Sequence, residues 1–352
     1  MHVKRNKRSV DWQPRVPWGG VALVTVGLLL AAGSSGSAIA SSSSSTAKLT
    51  PVRFLADYNP AWPGQVPWNV ALDKGWFAQA GLNVVYNLPP TNDTPPRLVG
   101  VGKEDVTVSY SPDVLLAKSV GLNVQVLASL MDKNIEGIMT YDPAIKTPKD
   151  LVGKTVAIYN FPMARLNFKI MLQNAGVNPS KVKIVNEGAY GVPLIVSGKV
   201  DAIDGAAGGE LDDANSRLHK TATFFPYDQS NGITPYYWFL VVGNRDWIAK
   251  HPVAAKAFTQ VMLRAMAWSR TNPDAAAAIF AKRNPTATTP ALANHGWKTI
   301  LKLTAQPFEA GKPLGYMDPA IWQSAEKFLL GQKFLAKPVN ITSLLTGNKF
   351  LP

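Results

Sequence analysis

Carboxylates, amides and aromatic residues that could bind a small molecule recur directly after short β-branched runs of this sequence. In open α/β sheets, ligands bind beyond the carboxyl ends of the strands, where the next helix begins. The residues that follow the predicted strands are therefore candidate ligand contacts. They are Asp57, Tyr58, Asn59, Trp62, Gln65, Ser109, Tyr110, Asn160, Phe161, Met163, Asp204, Glu210, Tyr236 and Tyr237.

Rings and acids dominate this set. Trp62, Phe161 or Tyr237 can stack on a flat heterocycle, and Asp57 or Glu210 can accept a hydrogen bond from an exocyclic amine. An anion needs free N–H groups at a helix start. Pro162 has no N–H to give at the predicted start after Phe161, so the pattern disfavours an anion. Arg165, one turn into the same helix, keeps that alternative open.

Several candidates also have a structural interpretation. Asn160 is typical of a helix N-cap, and Asp57 is typical of a turn before Asn59-Pro60. Trp62 and Phe161 are equally typical of packing within a lobe. The sequence leaves both interpretations open for these residues.

The sequence contains no motif of a common catalytic or metal centre. It has no Cys, and its histidines beyond His2 are His219, His251 and His295, which lack metal-ligand spacing. No G-x-S-x-G or Walker motif is present. We therefore expect a binding protein with no cofactor and no metal site, rather than an enzyme.

The elements that must position these residues alternate between strands and helices. Strands are predicted at Val52–Asp57, Leu82–Leu88, Val106–Ser109, Val124–Ser129, Ile138–Tyr141, Thr155–Tyr159, Val182–Asn186 and Val200–Asp204. Helical spacing recurs at Pro162–Ala175 and Val192–Ser197. This alternation predicts mostly parallel sheets covered on both faces. Because the pattern ends near Leu130 and restarts near Gly137, two α/β lobes are expected.

The last third of the sequence differs. Phe224 and Phe225 lead into a predicted loop, and an apolar strand follows at Tyr236–Val242. Helices are then predicted at Val253–Arg270, Pro273–Ala281, Pro290–Leu303 and Pro319–Leu329. We expect this helical tail to pack on the first lobe, because it has no strands for a third sheet.

The chain would then cross between the lobes twice, near Leu130–Met139 and near Tyr236–Val242. We expect lobe I to contain residues 48–136 and 240–352, and lobe II to contain residues 137–239. A two-segment hinge of this kind allows the lobes to close around a ligand.

Residues 1–40 have the pattern of a secretory signal peptide. Lys and Arg residues precede an apolar run at Val21–Ala32, and Ala38-Ile39-Ala40 forms an A-x-A cleavage pattern. The run is shorter than the roughly 20 residues that span a bilayer, although a retained single-pass anchor is the alternative. We expect cleavage after about Ala40 and a periplasmic location.

The charge and cysteine content of the sequence limit the classes of partner that we expect. The formal net charge is +13, but the leader has five Lys and Arg against one Asp, which leaves about +9 on the rest. These charges are scattered singly, so no nucleic-acid partner is expected. Without cysteine, stability must come from packing rather than disulfides. We expect a monomer.

Six segments occur in an order and spacing that resemble a known family. They are Val52–Pro60, Val70–Phe77, Ala80–Val84, Thr147–Val156, Ser197–Ala202 and Asn272–Ala276. Together they resemble the thiamine-precursor-binding (NMT/THI-like) solute-binding proteins, which are related to the alkanesulfonate- and nitrate-binding proteins. The resemblance implies a type II periplasmic binding protein fold and a small-molecule ligand such as a thiamine pyrimidine precursor. It also implies an ABC transporter partner, made of a membrane permease and its cytoplasmic ATPase.

The resemblance leaves alternatives for the ligand and for activity. Alkanesulfonate, taurine, nitrate or another small organic solute are the alternative ligands. Fungal pyrimidine-precursor synthases resemble this fold, but they look as if they need a cysteine-rich motif and an active-site His. Gln65 stands where the family often has His, so we expect a different substituent beyond the ligand's ring.

Overall fold

The computed structural model describes residues 48–58, 60–91, 95–188, 190–304 and 311–351. The predicted leader and its cleavage site lie outside the described residues. Within the described ranges, no helix is both long enough and apolar enough to cross a membrane.

The described residues form two five-stranded sheets. The strands in chain order are β1 (Thr50–Leu55), β2 (Leu82–Asn87), β3 (Val106–Ser109), β4 (Val124–Met131), β5 (Glu136–Thr140), β6 (Thr155–Ile158), β7 (Lys183–Asn186), β8 (Ala202–Ala206), β9 (Thr223–Pro226) and β10 (Phe239–Asn244). We call the part built on the first sheet lobe I and the part built on the second sheet lobe II.

Each sheet has one strand that runs against the other four. In lobe I the order is β2-β1-β3-β10-β4, and β10 is antiparallel to both of its neighbours. In lobe II the order is β7-β6-β8-β5-β9, and β5 is antiparallel to both of its neighbours. The reversed strand is in both cases the first one after the chain crosses between the lobes. The prediction of mostly parallel sheets is confirmed.

One strand was absent from the sequence prediction. β9 contains Phe224 and Phe225, which were predicted to lead into a loop, and it pairs only with β5 at the edge of its sheet. It has four residues and ends at Pro226, so its pattern is too short to distinguish from a loop. Pro226 is tolerated here because proline has no N–H to donate to a neighbouring strand, and an edge strand has a neighbour on one side only.

The two crossovers are residues 132–135 and residues 227–238, between β4 and β5 and between β9 and β10. The first lies where it was predicted. The second lies earlier than predicted, because β10 begins at Phe239 and not at Tyr236. The predicted boundary at residue 137 comes one residue after β5 begins at Glu136. The predicted boundary at residue 240 comes one residue after β10 begins at Phe239.

Thirteen helices cover the sheets within the described ranges. They are α1 (Val66–Asp73), α2 (Trp76–Gln79), α3 (Pro95–Gly100), α4 (Ser111–Ser119), α5 (Pro162–Asn174), α6 (Val192–Val196), α7 (Glu210–Leu218), α8 (Arg245–Lys250), α9 (Pro252–Thr271), α10 (Pro273–Arg283), α11 (Pro290–Leu303), α12 (Pro319–Gly331) and α13 (Ile341–Leu344). Six of them, α3, α5 and α9 to α12, begin with proline, which fits a first turn where no N–H partner is needed.

The C-terminal helices pack on lobe I, as the sequence predicted. α9 and α10 contact α1, while α12 contacts α4 and α13 contacts β4. Rings fill this interface, and the centroids of Phe54 on β1 and Phe258 on α9 lie 5.2 Å apart in an edge-to-face pair. Burial of such rings is the main stabilising term for a chain without disulfides.

Helix α11 departs from that prediction because it also contacts α7 of lobe II. Two glycines allow the approach: a Cβ on Gly296 would lie 2.2 Å from the carbonyl oxygen of Gly208. Gly208 has a φ of +83°, a conformation that favours glycine. Beside them, Nε2 of His295 lies 3.6 Å from Oδ1 of Asp212.

Candidate functional site

A small cavity of about 20 Å³ lies where strand ends of the two lobes meet. Its walls are the residues Tyr58, Trp62, Tyr110, Glu136, Tyr159, Phe161, Ala206, Glu210 and Trp238. We call this set the cage. Six of its members are aromatic and two are acidic, so the cage combines flat apolar faces with hydrogen-bond acceptors.

On the lobe I side, Asp57 is the centre of a closed hydrogen-bond network. Its Oδ2 accepts from Nε1 of Trp62 at 3.1 Å, and its Oδ1 accepts from Nε2 of Gln65 at 3.0 Å. Gln65 also donates to the carbonyl of Tyr58 and accepts from the hydroxyl of Tyr86. Burial raises the pKa of Asp57 to about 6, against the opposing effect of these donors. The network fixes the orientation of the Trp62 ring in the cage.

On the lobe II side, Glu210 begins α7 and is held by two donors. Its Oε1 accepts from the hydroxyl of Tyr159 at 2.5 Å, and its Oε2 accepts from the N–H of Ala206 at 3.1 Å. The hydroxyl of Tyr159 in turn accepts from the hydroxyl of Tyr58 at 3.0 Å. This last bond joins the lobes, so the structure holds a closed cleft.

The rings of the cage support one another at close range. Tyr159 and Phe161 are stacked, with centroids 5.1 Å apart. Trp62 meets Trp238 edge to face at 5.6 Å, and Tyr110 lies 5.6 Å from the same Trp238 ring. A flat ligand entering an opened cleft would find faces of both lobes already oriented for stacking.

Lobe II brings further carboxyl groups behind the cage. Asp204 is fully buried on β8 and Glu187 is buried after β7. Neither oxygen of either group accepts a hydrogen bond of normal geometry from a described residue. Burial raises the pKa of both groups well above the usual range. The charges of Glu136 and Glu210 add to this effect at Asp204, and the charges of Asp204 and Glu210 add to it at Glu187.

Glu136 and Glu210 are the acids that line the cage itself. Burial of the carboxyl, followed by the charges of Glu210 and Asp113, raises the pKa of Glu136 to about 8, although part of its side chain is exposed. Burial also raises the pKa of Glu210. Within the described part of the chain, none of the acids Glu136, Glu187, Asp204 and Glu210 forms an ion pair with Lys, Arg or His. The site is therefore suited to a ligand that brings hydrogen-bond donors.

A second, larger cavity of about 320 Å³ adjoins the cage and shares Tyr110 and Phe161 with it. Asp57 and Ser109 also line this second cavity. Together the two cavities contain seven of the predicted site residues: Asp57, Tyr58, Trp62, Ser109, Tyr110, Phe161 and Glu210.

The other predicted residues lie elsewhere. Gln65 orients Asp57 from behind, and Asp204 lies behind the cage. Asn160 accepts from Nη2 of Arg165 at 3.3 Å, and Met163 is part of the core. Asn59 lies outside the described residues.

The two tyrosines before β10 form hydrogen bonds with other parts of the chain. The hydroxyl of Tyr236 accepts from Nδ2 of Asn134 at 2.8 Å and from Nδ2 of Asn167 at 3.1 Å, which ties both crossovers to α5. The hydroxyl of Tyr237 accepts from the N–H of Asp318, and its ring lies 6.0 Å from that of Trp322. Neither residue lines the cage.

Sequence reasoning missed four cage residues: Glu136, Tyr159, Ala206 and Trp238. Glu136 lies within the first predicted crossover, and Tyr159 was taken as the last residue of a strand instead of the first one beyond it. Trp238 directly follows the two tyrosines that were chosen. It was taken as part of a strand, because β10 was predicted to begin three residues before its actual start. A more exact end of β6 would have found Tyr159, whereas Glu136 begins β5 and Trp238 precedes β10, at strand starts where no ligand contact was expected. No group of three or more His, Cys, Asp or Glu in the described ranges is arranged to hold a metal ion.

Comparison with known proteins places this geometry in a family. The profile of the family described as "NMT1/THI5 like" matches residues 62–276, more than half of the chain. The formylaminopyrimidine-binding protein of Halalkalibacterium halodurans is 27% identical over 272 residues, covering 77% of this chain and 82% of that protein. The 4-amino-5-hydroxymethyl-2-methylpyrimidine phosphate synthase of Schizosaccharomyces pombe is 26% identical over 228 residues, covering 62% of this chain and 64% of that protein.

Comparison with a solved structure identifies the class of fold. The alkanesulfonate-binding protein SsuA from Xanthomonas axonopodis pv. citri, bound to MOPS, superimposes with a TM-score of 0.66. The match covers 85% of this chain and 99% of that one, at 14% sequence identity, so it bears on the fold alone. This chain belongs to the NMT1/THI5-like family and has the type II periplasmic binding protein fold.

Proposed function

We propose that this protein is an exported solute-binding protein that captures a flat, amine-bearing heterocycle, such as a thiamine pyrimidine precursor, between its lobes. It would deliver this solute to the membrane permease and cytoplasmic ATPase of an ABC importer. The observation that carries the proposal is the cage, in which six rings and two carboxyl groups surround one cavity. The name of the relative from Halalkalibacterium halodurans supports the same ligand class.

Several features favour an amine over an anion. The cage lining contains no Lys, Arg or His, so it offers no positive charge to balance a sulfonate or nitrate. Helix α5, which follows Phe161, begins with Pro162, which has no N–H to offer, and helix α7 begins at the cage with an acid, Glu210. The carboxyl of Glu136 would accept the hydrogen bond of the ligand's exocyclic amine, with Glu210 beside it.

Binding is favoured over catalysis. The chain has no Cys, and neither His219 nor His251 nor His295 lines the cage. The cage acids lie among rings with no basic residue in the lining to exchange protons with them. We therefore assign the cage to recognition, although the relative from Schizosaccharomyces pombe is named a synthase.

Titration calorimetry tests the proposal directly. We expect 4-amino-5-hydroxymethyl-2-methylpyrimidine or its formylamino analogue to bind, whereas taurine, an alkanesulfonate and nitrate should not. Replacement of Glu136 with Ala leaves a ligand donor unpaired, at about 1–3 kcal/mol, and should weaken binding roughly 5- to 150-fold.

The control is Asp73→Asn, because Asp73 is exposed at the end of α1. It should leave the affinity unchanged. Tight binding of a sulfonate or nitrate, with the pyrimidines silent, would contradict the proposal.

A further inference from the structure

The second cavity is large enough to hold part of a ligand, and all but two of its lining residues lie outside the cage. Its volume of about 320 Å³ far exceeds the cage's 20 Å³, and ligand pockets commonly begin at about 300 Å³. It lies between α3, α4 and the start of α5. Its lining is Asp57, Pro95, Pro96, Arg97, Val108, Ser109, Tyr110, Asp113, Leu116, Ala117, Val120, Leu122, Phe161 and Pro162.

The wall of this cavity is mostly apolar. Leu116, Ala117 and Val120 of the α4 region face it together with Leu122. Val120 is 68% exposed at the rim of the cavity, so part of the apolar wall is accessible to solvent. The carboxylate oxygens of Asp57 already accept from Trp62 and Gln65. Arg97 and Asp113 add charged groups to the lining, and the remaining, mostly apolar wall suits a carbon-rich group.

The two cavities are neighbours and share two rings in their walls. Tyr110 and Phe161 border both, one from each lobe. A heterocycle stacked in the cage would thus lie against rings that also line the second cavity. Pro162 lines the second cavity beside Phe161 and has no N–H to donate to a ligand.

We propose that the natural ligand has two parts: a flat, amine-bearing ring held in the cage, and an apolar substituent of several carbon atoms that lies in the second cavity. This inference rests on the proposed function and adds the substituent to it. Each methylene group that leaves water contributes about 0.8 kcal/mol, so affinity should rise about fourfold per methylene until the cavity is filled.

A matched ligand series tests the inference. Titration calorimetry would compare 4-amino-2-methylpyrimidines that carry hydrogen, ethyl, butyl or phenylethyl at carbon 5. We expect the affinity of the wild-type protein to rise through ethyl and butyl. In Ala117→Leu, which fills the cavity from α4, the gain from butyl should be lost while the unsubstituted ring binds as before.

Because Ala117 is buried, a second variant protects the test against misfolding. Val120→Ser changes an exposed rim residue, and it should reduce the gain from butyl at least twofold. Val253→Ser is the control, since Val253 is 82% exposed and lies at the start of α9. It should not change the series.

The outcomes separate the two proposals. Binding of the unsubstituted ring with a flat or falling series would overturn the two-part ligand and leave the proposed function intact. A rising series that persists unchanged in both cavity variants would also overturn it, because the substituent would then lie elsewhere. If none of the pyrimidines binds, the proposed function fails and the inference fails with it.

Discussion

In lobe I, both carboxylate oxygens of Asp57 accept hydrogen bonds from Trp62 and Gln65. In lobe II, neither Asp204 nor Glu187 accepts one of normal geometry from a described residue. The two faces of one cleft thus carry acids in opposite states. A saturated acceptor maintains the shape of the site, whereas an unsaturated buried acceptor costs free energy until a proton or a donor reaches it.

This difference assigns different tasks to the lobes. Lobe I supplies a fixed aromatic wall, because Asp57 orients Trp62 whether or not a ligand is present. Lobe II supplies acceptors in a region without a paired cation, and Glu136 and Glu210 bring them to the cage. We therefore expect ligand donors to be recognised mainly by lobe II.

The largest effect should come from the same substitution made in each lobe. Asp57→Asn keeps one acceptor oxygen but replaces the other with an N–H₂ group, which faces the donor of either Trp62 or Gln65 and leaves both that donor and itself unpaired. Unpaired buried donors cost about 1–3 kcal/mol each, so the free energy of unfolding should fall by roughly 2–4 kcal/mol. Asp204→Asn removes a buried acid among like charges, and it should change that free energy by less than about 1 kcal/mol. Urea denaturation measures both, and equal losses would end the distinction between the lobes.

An intermediate effect is expected where the lobes meet. In Gly296→Ala the added Cβ would lie 2.2 Å from the carbonyl oxygen of Gly208, so α11 and lobe II could not approach as closely. Overpacking of this kind costs about 1–3 kcal/mol, which should weaken aminopyrimidine binding roughly 5- to 150-fold in calorimetry. Gly331→Ala is the matched control, because a Cβ there meets nothing within 4 Å. An unchanged affinity in Gly296→Ala would mean that closure at this contact is not needed for binding.

The smallest effect concerns pH. The pKa of Glu136 is raised from 4.5 to about 8 in the folded protein, so the unfolded chain loses this proton first as pH rises. Stability should therefore fall between about pH 4.5 and 8 and level off above it, with a slope per group of at most about 1.4 kcal/mol per pH unit. Partial exposure of Glu136 screens the effect, and we expect Glu136→Gln to reduce the slope by about 1 kcal/mol per unit between pH 6 and 8.

Asp57 provides the contrast in the same measurement. Its pKa is raised from 3.8 to about 6, so its contribution changes below pH 6 and should not alter the slope above it. Thermal or urea unfolding of wild type and Glu136→Gln at pH 5, 6, 7 and 8 would show this. An identical slope in the two proteins between pH 6 and 8 would assign the pH dependence to other acids.

Much of the fold was accessible from local patterns. β3 and α11 were predicted with the bounds that the structure shows, and most other elements differ by one to three residues. Alternation of strands and helices determined the class of sheet, because apolar periodicity and proline-marked helix starts are local properties. The strand β9 and the start of β10 were not accessible, since pairing at a sheet edge depends on partners distant in the sequence.

The site divides in the same way. The sequence by itself determined that rings and acids follow the strand ends, and this was enough to name Trp62, Phe161 and Glu210, which line the cage, as candidates. Only the tertiary structure decided which of them share a cavity, because Glu136 and Trp238 reach it through the two crossovers between the lobes. It also decided that both oxygens of Asp57 accept hydrogen bonds of normal geometry and that those of Asp204 do not, since hydrogen bonding depends on which donors the fold brings within about 3 Å.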